Sequence, residues 1–468
     1  MIAGAQLTCA GCGATLPPHA PYPFRCPNAD ADDDCDHVLV QDPDVGGARA
    51  LYPFADTHAS QPFVRYRAGL WSYAAARARG MSDADYVEMV EALDSAVAAV
   101  DGHGFEVTPC GPENDLATHV GMAPDSLWVK DETGNVSGSH KGRHLFGLAL
   151  TLEVTERTGW ASRAETDRRG LAIASCGNAA LAAAVVARAS RRPLRVFIPT
   201  DADPKVVARL HALSAGVVVC PRAPDVPGDP CLRAFHDAVK QGALPFCCQG
   251  SENGLCIEGG MTLAWEMVES LGRKRAQLDR LFVQVGGGAL ASACVQGFRQ
   301  AIALGLLARM PRLHTVQTAG AWPLRRAWER IRARIISGRG RTDASAADLM
   351  AGRERAWARA ETLDYARAHR AEFMWPWETT PASLAHGILD DETYDWLEVT
   401  RGLIESGGWP VTVNEERIRE AHAMARTATA IPVDPTGTAG LAGLIELRAQ
   451  GAVPHGERVA VLFSGVEH

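Results

Sequence analysis

Lys141 stands where a lysine can become a nucleophile. An apolar pair, Trp128-Val129, gives way to Lys130-Asp131-Glu132, and a Gly/Ser/Asn turn then runs from Gly134 through Ser139 and His140 to Lys141. Residues 143–154 carry a helical pattern. A lysine at a helix start faces the positive end of the dipole, which disfavours its protonated form. Partial burial acts the same way. The neutral amine attacks carbonyl carbons and forms Schiff bases. Further on, Ser175-Cys176-Gly177-Asn178 separates a short apolar run, Leu171-Ala172-Ile173-Ala174, from an Ala-rich helix at 179–189. Free backbone amides at such a helix start suit an anion. Gly286-Gly287-Gly288-Ala289-Leu290 lies between an apolar strand, 281–285, and a helix reaching Phe298. Glycines let the backbone close on phosphate oxygens and aim several amides at them. The stretch fits neither of the glycine patterns for dinucleotides or nucleoside triphosphates. A late strand, 458–463, ends at Ser464-Gly465.

These stretches need strands to end beside one another and helices to begin there. Apolar runs at 171–174, 194–199 and 217–220 alternate with helical runs, the pattern of βαβ units and a mainly parallel sheet. The class is α/β. A chain of 468 residues holds two or more domains. A net charge of −8 and a pI near 6.0 argue against a general nucleic-acid binder. No window is long and apolar enough for a membrane span, and Met1–Ala10 lacks the basic and apolar regions of a signal peptide. The twelve cysteines are mostly scattered singly, which suits reduced thiols in the cytoplasm.

Residues 1–45 read as a small unit of their own. Cys9 and Cys12 form a C-x-x-C, and Cys26 and Cys35 follow. Four thiolates so spaced suit a structural zinc in a zinc-ribbon-like knuckle. Cys26 and Cys35 are not a second C-x-x-C, and His37 is an alternative ligand. The run from Asn28 to Asp34 is an acidic loop without the spacing of a calcium site. A knuckle held by prolines without metal is the competing reading. Ser82 and Asp85 form a capping-box pattern before a helix at 86–100. Residues 321–370 are rich in arginine, including Arg325, Arg326, Arg330, Arg334, Arg339 and Arg341. They read as an inserted helical hairpin whose charges face solvent or another subunit rather than an anionic substrate.

The Ser-His-Lys turn, the Ser-Cys-Gly-Asn loop, the glycine loop and the strand ending in Ser-Gly occur in one chain order. Together they resemble pyridoxal-phosphate enzymes of the tryptophan-synthase β fold, fold type II, with threonine synthase as the nearest kind. The stretch Ile257-Glu258-Gly259 to Trp265-Glu266 and the cysteine knuckle are similar to segments of that family. The resemblance covers most of 105–300 and 400–465. It implies a large cofactor domain, 46–144 and 246–468 with an insertion near 320–375, and a small mobile domain, 145–245. It implies that Lys141 holds pyridoxal 5′-phosphate as a Schiff base and then acts as the base at Cα. Asn178 would bond the ring hydroxyl, and Gly286, Gly287, Gly288, Ala289 and Leu290 would cradle the phosphate. Ser464 would face the ring nitrogen, with His140 beside the cofactor. Ser139, Ser175, Cys176, Gly177 and Asn178 would meet the substrate carboxylate. His140 and Gly142 stand where threonine synthases usually have Phe and Asp, a departure that bears on the substrate and not on the cofactor.

The expected activity is therefore that of a cytoplasmic lyase or synthase acting on an amino acid, with elimination or replacement at the β or γ carbon. The fold kinship implies a homodimer. Two alternatives share the fold: a serine- or threonine-type ammonia-lyase, and a β-replacement enzyme making an unusual amino acid. The third is a non-enzymatic cofactor-binding protein that engages a partner.

Overall fold

The computed structural model describes residues 6–16, 20, 22–29, 33–42, 56–222, 228–337 and 356–467. A six-stranded sheet forms the larger layer. Its strands are β4 (Cys110–Pro112), β5 (Leu127–Asp131), β10 (Arg280–Gln284), β11 (Arg312–Thr318), β12 (Val411–Val413) and β13 (Val459–Phe463), in the order β12-β11-β10-β13-β5-β4. All neighbours are parallel except β4 and β5. Phe282 pairs with Val461, and Val461 with Val129. β13 is buried along its whole length. A parallel strand covered on both faces must read as a continuous apolar run, which Val459–Phe463 does.

A second, four-stranded parallel sheet is built from β6 (Leu171–Ala174), β7 (Leu194–Ile198), β8 (Gly216–Val219) and β9 (Leu244–Pro245), ordered β8-β7-β6-β9. The helices Asn178–Ala189, Pro204–Ala212 and Pro230–Lys240 supply its crossovers. Asp203 and Asp229 cap the last two, and each has Pro in its first turn.

The Lys141–Arg157 helix packs on both Asn178–Ala189 and Cys256–Arg273. It begins two residues before the helical pattern in the sequence and continues three residues past it. It stops at Thr158, ahead of Gly159 with φ +75°. Its contact with Cys256–Arg273 is backbone against backbone. A Cβ on Gly259 would lie 1.9 Å from the Arg143 carbonyl oxygen, and one on Gly147 would lie 3.0 Å from Gly259. Ser82 and Asp85 form the expected capping box at the start of Asp83–Asp101.

The N-terminal knuckle is a three-stranded antiparallel sheet of β1 (Gln6–Cys9), β2 (Thr15–Leu16) and β3 (Leu39–Asp42). It is bonded to the rest of the chain. Gly254 N–H donates to Phe24 O at 2.9 Å, Gln41 Nε2 to Gly69 O at 2.9 Å, and Trp396 Nε1 to Asp36 Oδ1 at 3.2 Å. The acidic residues 30–32 lie outside the described residues.

The arginine-rich segment contains two helices, Pro323–Ser337 and Ala356–Ala368, packed on one another. Arg326 stacks 3.7 Å from the Trp375 ring centre, and Arg334 3.4 Å from that of Tyr365. These guanidinium groups cover aromatic faces inside the insertion. Arg339 and Arg341 lie outside the described residues. Among the described residues, no helix is long and apolar enough to cross a membrane.

Gly259→Ala is expected to cost about 3 kcal/mol, because a methyl group there forces two helix backbones apart. Urea denaturation checks this, and an unchanged midpoint would contradict the close packing.

Candidate functional site

The turn before Lys141 is over-determined by hydrogen bonds. Asn135 caps its own turn by accepting from Val136 N–H at 2.8 Å, while its Nδ2 donates to Glu132 Oε2 at 2.7 Å. Ser137, with φ +58°, is held there by its N–H donating to Asp101 Oδ2 at 2.7 Å. Ser139 then pairs with Gly465 in an antiparallel bridge, and Val466 N–H donates to Gly138 O at 2.9 Å. Both the backbone N–H and Nδ1 of His140 reach Ser464 O at 3.0 Å. A carbonyl oxygen only accepts, so His140 carries its proton on Nδ1 and presents Nε2 as an acceptor.

Beneath the turn lies a fully buried charge network. Arg143 donates from Nε to Glu132 Oε2 at 2.7 Å and from Nη1 to Glu266 Oε1 at 2.6 Å. Lys130 Nζ donates to Glu266 Oε2 and to Thr108 O, and lies 3.5 Å from Glu132. Two cations meet two carboxylates, and all four side chains have zero exposure. Burial alone would raise the Glu132 carboxyl, but Arg143 and Lys130 hold it well below its ordinary value. Gly142 has no room for a side chain. A Cβ would stand 2.8 Å from Val136 O and 3.3 Å from the Phe105 ring. That contact is a local reason for glycine at this position.

Ser464 follows β13, and the glycine loop follows β10, its parallel neighbour. Gly288, with φ +97°, starts the Ala289–Ala303 helix without a side-chain cap. The helices starting at Lys141 and Asn178 also lack a side-chain cap; in the first, Gly142 N–H and Arg143 N–H donate to Ser139 O and His140 O, while the second keeps its opening amides for a ligand. Asn178 reaches the same place: a Cβ on Gly465 would lie 2.8 Å from its Nδ2 and 3.3 Å from Ser139 Cβ. Ser139, His140, Lys141, Asn178 and Ser464 are thus assembled around one point. Ser175 and Gly177 flank Cys176 at the end of β6. Cys176 is accessible. Enclosure of its sulfur raises the thiol pKa, and the carboxylates of Asp201, Asp229 and Asp390 add to the rise. The Leu290 side chain packs in the core with Ala291 and Cys294, which leaves its backbone to the loop.

Several residues of the site carry little signal in the sequence. Gln284 Nε2 donates to Ser464 Oγ. Residues 387–396 back the glycine loop: Thr393 Oγ1 donates to Gly286 O at 2.9 Å, and Asp395 N–H to Gly287 O at 3.1 Å. Asp390 lies so close that a Cβ on Gly286 would be 2.3 Å from its Oδ2. The hint for Gln284 was a polar residue inside an otherwise apolar strand end, Leu281-Phe282-Val283-Gln284-Val285.

The cysteine cluster differs from the expected set. Cys9, Cys12, Cys26 and His37 bring one ligand atom each within 4.8 Å of one another. Cys35 is outside this set, and His37 takes the fourth corner. The exchange follows from β3. It lays His37 Nδ1 3.5 Å from Cys9 Sγ, while Nε2 faces Asp33 Oδ2 at 2.9 Å. A carboxylate on the far nitrogen is the usual support of a metal-binding imidazole.

Comparison with known proteins finds relatives of this chain. The family described as pyridoxal-phosphate dependent enzymes matches residues 103–465. Threonine synthase of Methanocaldococcus jannaschii is 24% identical over 363 residues, 76% of this chain and 74% of that protein. The processed form of threonine deaminase isoform 2 from Solanum lycopersicum superposes with a TM-score of 0.55 at 16% identity, covering 83% of this chain and 92% of that one. Serine racemase from Dictyostelium discoideum gives 0.53 at 17%, covering 81% and 98%.

Burial, with the Lys141 charge beside it, pushes His140 down to about 3. The unfolded chain therefore takes up a proton near the ordinary histidine value that the folded chain refuses, so stability falls as pH drops from about 6.5 toward 3. His140→Gln should reduce that slope by about 1.4 kcal/mol per pH unit between about pH 6 and 4. Urea denaturation at stepped pH reads it, and an unaltered slope contradicts a buried neutral His140.

Proposed function

Since the chain belongs to the pyridoxal-phosphate dependent enzyme family, we propose that it is a lyase or synthase of threonine-synthase type, acting on an amino acid at Cα and its β or γ carbon. The carrying observation is the convergence of the Lys141 turn, the Ser464 hydroxyl and the glycine loop where adjacent parallel strands end. Ligands of open α/β sheets bind at such carboxyl ends.

The residues present fit the cofactor. Ser139 Oγ and His140 Nε2 are buried without a protein partner, polar atoms that a bound polar group would satisfy. The amides opening the Ala289–Ala303 helix suit a phosphate. In this reading Lys141 holds the aldehyde carbon, Asn178 the ring hydroxyl, Gly286 to Leu290 the phosphate, and Ser464 the ring nitrogen. When bound, the cofactor supplies a sink for the electron pair left at Cα. Ser175, Cys176 and Gly177 orient the substrate carboxylate through a hydroxyl and helix-start amides. In this reading Lys141 Nζ takes the Cα proton, a role supported by the hydrogen-bonded turn and by Arg143, which fix the first helical residues. A neutral hydroxyl at the ring nitrogen leaves that atom without a full positive charge, which favours loss of a side-chain leaving group over transamination. Closure of the smaller sheet domain, 145–245, on the larger would exclude water. We also infer a cytoplasmic homodimer, on the family kinship.

A second reading, an ammonia-lyase, is favoured by the likeness to L-threonine dehydratase of Haemophilus influenzae, 25% identical over 211 residues, 45% of this chain and 36% of that protein. Release of ammonia and a 2-oxo acid from serine or threonine distinguishes it from release of inorganic phosphate.

In deuterium oxide, the cofactor-loaded protein should exchange the Cα proton of its amino-acid substrate, as followed by proton NMR across a panel of free and O-phosphorylated amino acids. Lys141→Ala should slow exchange at least about a thousandfold, in the range set by loss of a positioned base. Exchange that survives in Lys141→Ala would remove Lys141 from the chemistry.

The cluster of Cys9, Cys12, Cys26 and His37 is proposed as a structural zinc site, closed by four protein ligands. Metal analysis should find one zinc per chain in the natural protein and in Cys35→Ser, and well under half in His37→Ala. Loss of zinc in Cys35→Ser alone would reinstate the four-cysteine set.

A further inference from the structure

Gln284 ends β10 with its side chain almost wholly enclosed, at 3% exposure. Its Nε2 reaches three oxygens: Gly437 O at 3.2 Å, Leu462 O at 3.1 Å, and Ser464 Oγ. Two of the three are backbone carbonyls, which can only accept. The atom facing them must be the NH2 of the amide, since the opposite orientation would set an oxygen against two carbonyl oxygens. Oε1 is turned the other way, toward Gly440. The orientation of the amide is therefore dictated by backbone that is itself part of β13 and of the turn at 434–437.

This has a consequence for Ser464. An NH2 group does not accept hydrogen bonds, so Ser464 Oγ cannot donate to Gln284; the two N–H hydrogens are shared among the three oxygens, and Ser464 Oγ is on the receiving side of that sharing. The hydroxyl proton is thereby directed away from Gln284. The Ser464 backbone is fixed from the other side, where its carbonyl oxygen takes both the N–H and Nδ1–H of His140, the residue before Lys141. Ser464 itself is 3% exposed, so water does not compete freely for its hydroxyl.

We propose that Gln284 is a positioning residue that fixes the direction of the Ser464 hydroxyl, making it a donor to the ring nitrogen of the cofactor and holding that nitrogen unprotonated. This rests on the reading above in which Ser464 meets the ring nitrogen. The chain thereby sets the electronic character of the ring by a relay of two neutral groups, with the backbone carbonyls of Leu462 and Gly437 as its fixed end. A serine alone would not do this, because a hydroxyl free to turn can equally accept from a protonated nitrogen.

The test uses the full chain and two probes: pyridoxal 5′-phosphate and its analogue with carbon in place of the ring nitrogen. The natural protein should bind the cofactor about tenfold more tightly than the analogue, the worth of one buried hydrogen bond. Ser464→Ala and Gln284→Met should each bring that ratio close to one. A merely structural role for Gln284 would weaken both probes alike and leave the ratio intact. Gln284→Glu, which keeps the shape of the side chain, provides a second readout. At a pH where it is ionised, the carboxylate meets two carbonyl oxygens and one group able to donate, the Ser464 hydroxyl, which turns toward it. The nitrogen-15 signal of labelled cofactor should then move from the neutral-pyridine range of the natural protein toward the pyridinium range. If Ser464→Ala abolishes discrimination while Gln284→Met retains it and Gln284→Glu leaves the nitrogen-15 signal in place, the role of Gln284 is overturned and Ser464 stands. If Ser464→Ala retains discrimination, the placement of Ser464 at the nitrogen fails, and the role of Gln284 with it.

Discussion

Four buried charges hold this structure to its purpose. Lys130 comes from β5, Glu132 from the turn after it, Arg143 from the helix that Lys141 opens, and Glu266 from the helix packed across it. Burying one of these charges alone would be prohibitive, and burying all four is tolerable only because each finds opposite charge and further hydrogen bonds from Thr108 and Thr262. The network buys no obvious stability over an apolar core of the same volume. What it does is specify geometry, since the turn between Glu132 and Arg143 has both ends nailed to the same set of partners. A one-residue shift of the Lys141 helix would leave a buried guanidinium unpaired and two carboxylates with Lys130 alone between them.

The site above that network is made of chain ends: the ends of strands and the beginnings of helices. β5, β13 and β10 are parallel neighbours, so their carboxyl ends deliver the Lys141 turn, Ser464 and the glycine loop side by side. Three helices start there without side-chain caps. Several helices whose starts lie elsewhere are capped by Ser82, Ser162, Asp203, Asp229 or Asn414. Leaving a helix start open costs stability unless a ligand completes it. The contacts that bind the pieces, Ser139 with Gly465 and His140 with Ser464, join segments more than 300 residues apart in the chain.

The α/β class and the strands at 171–174 and 194–199 were legible because buried parallel strands must be apolar runs bounded by turn residues. The glycine loop and the Lys141 turn were legible because backbone close to a ligand demands glycine, and glycines mark themselves. Partners held by long-range contact were not. Nothing local to Gln284 says that it reaches Ser464, and nothing near Thr393 or Asp390 ties them to Gly286. The knuckle shows the same limit. Cysteine spacing drew attention to Cys35, whereas the pairing of β1 with β3 brings His37 into the cluster. The arginines at 325–334 read as a surface facing solvent or another subunit, and the aromatic partners of Arg326 and Arg334, Trp375 and Tyr365, lie dozens of residues away.

The roles proposed for the site all depend on Lys141 carrying pyridoxal phosphate in a site shaped by Ser464 and the glycine loop. The visible absorption spectrum of the purified protein, before and after addition of the cofactor, tests it most directly. The expected result is a band of lysine-bound cofactor that borohydride abolishes, with the reduced adduct mapping to Lys141, and that is absent from Lys141→Ala. A protein that acquires no such band with saturating cofactor, or one whose band persists in Lys141→Ala, would contradict it.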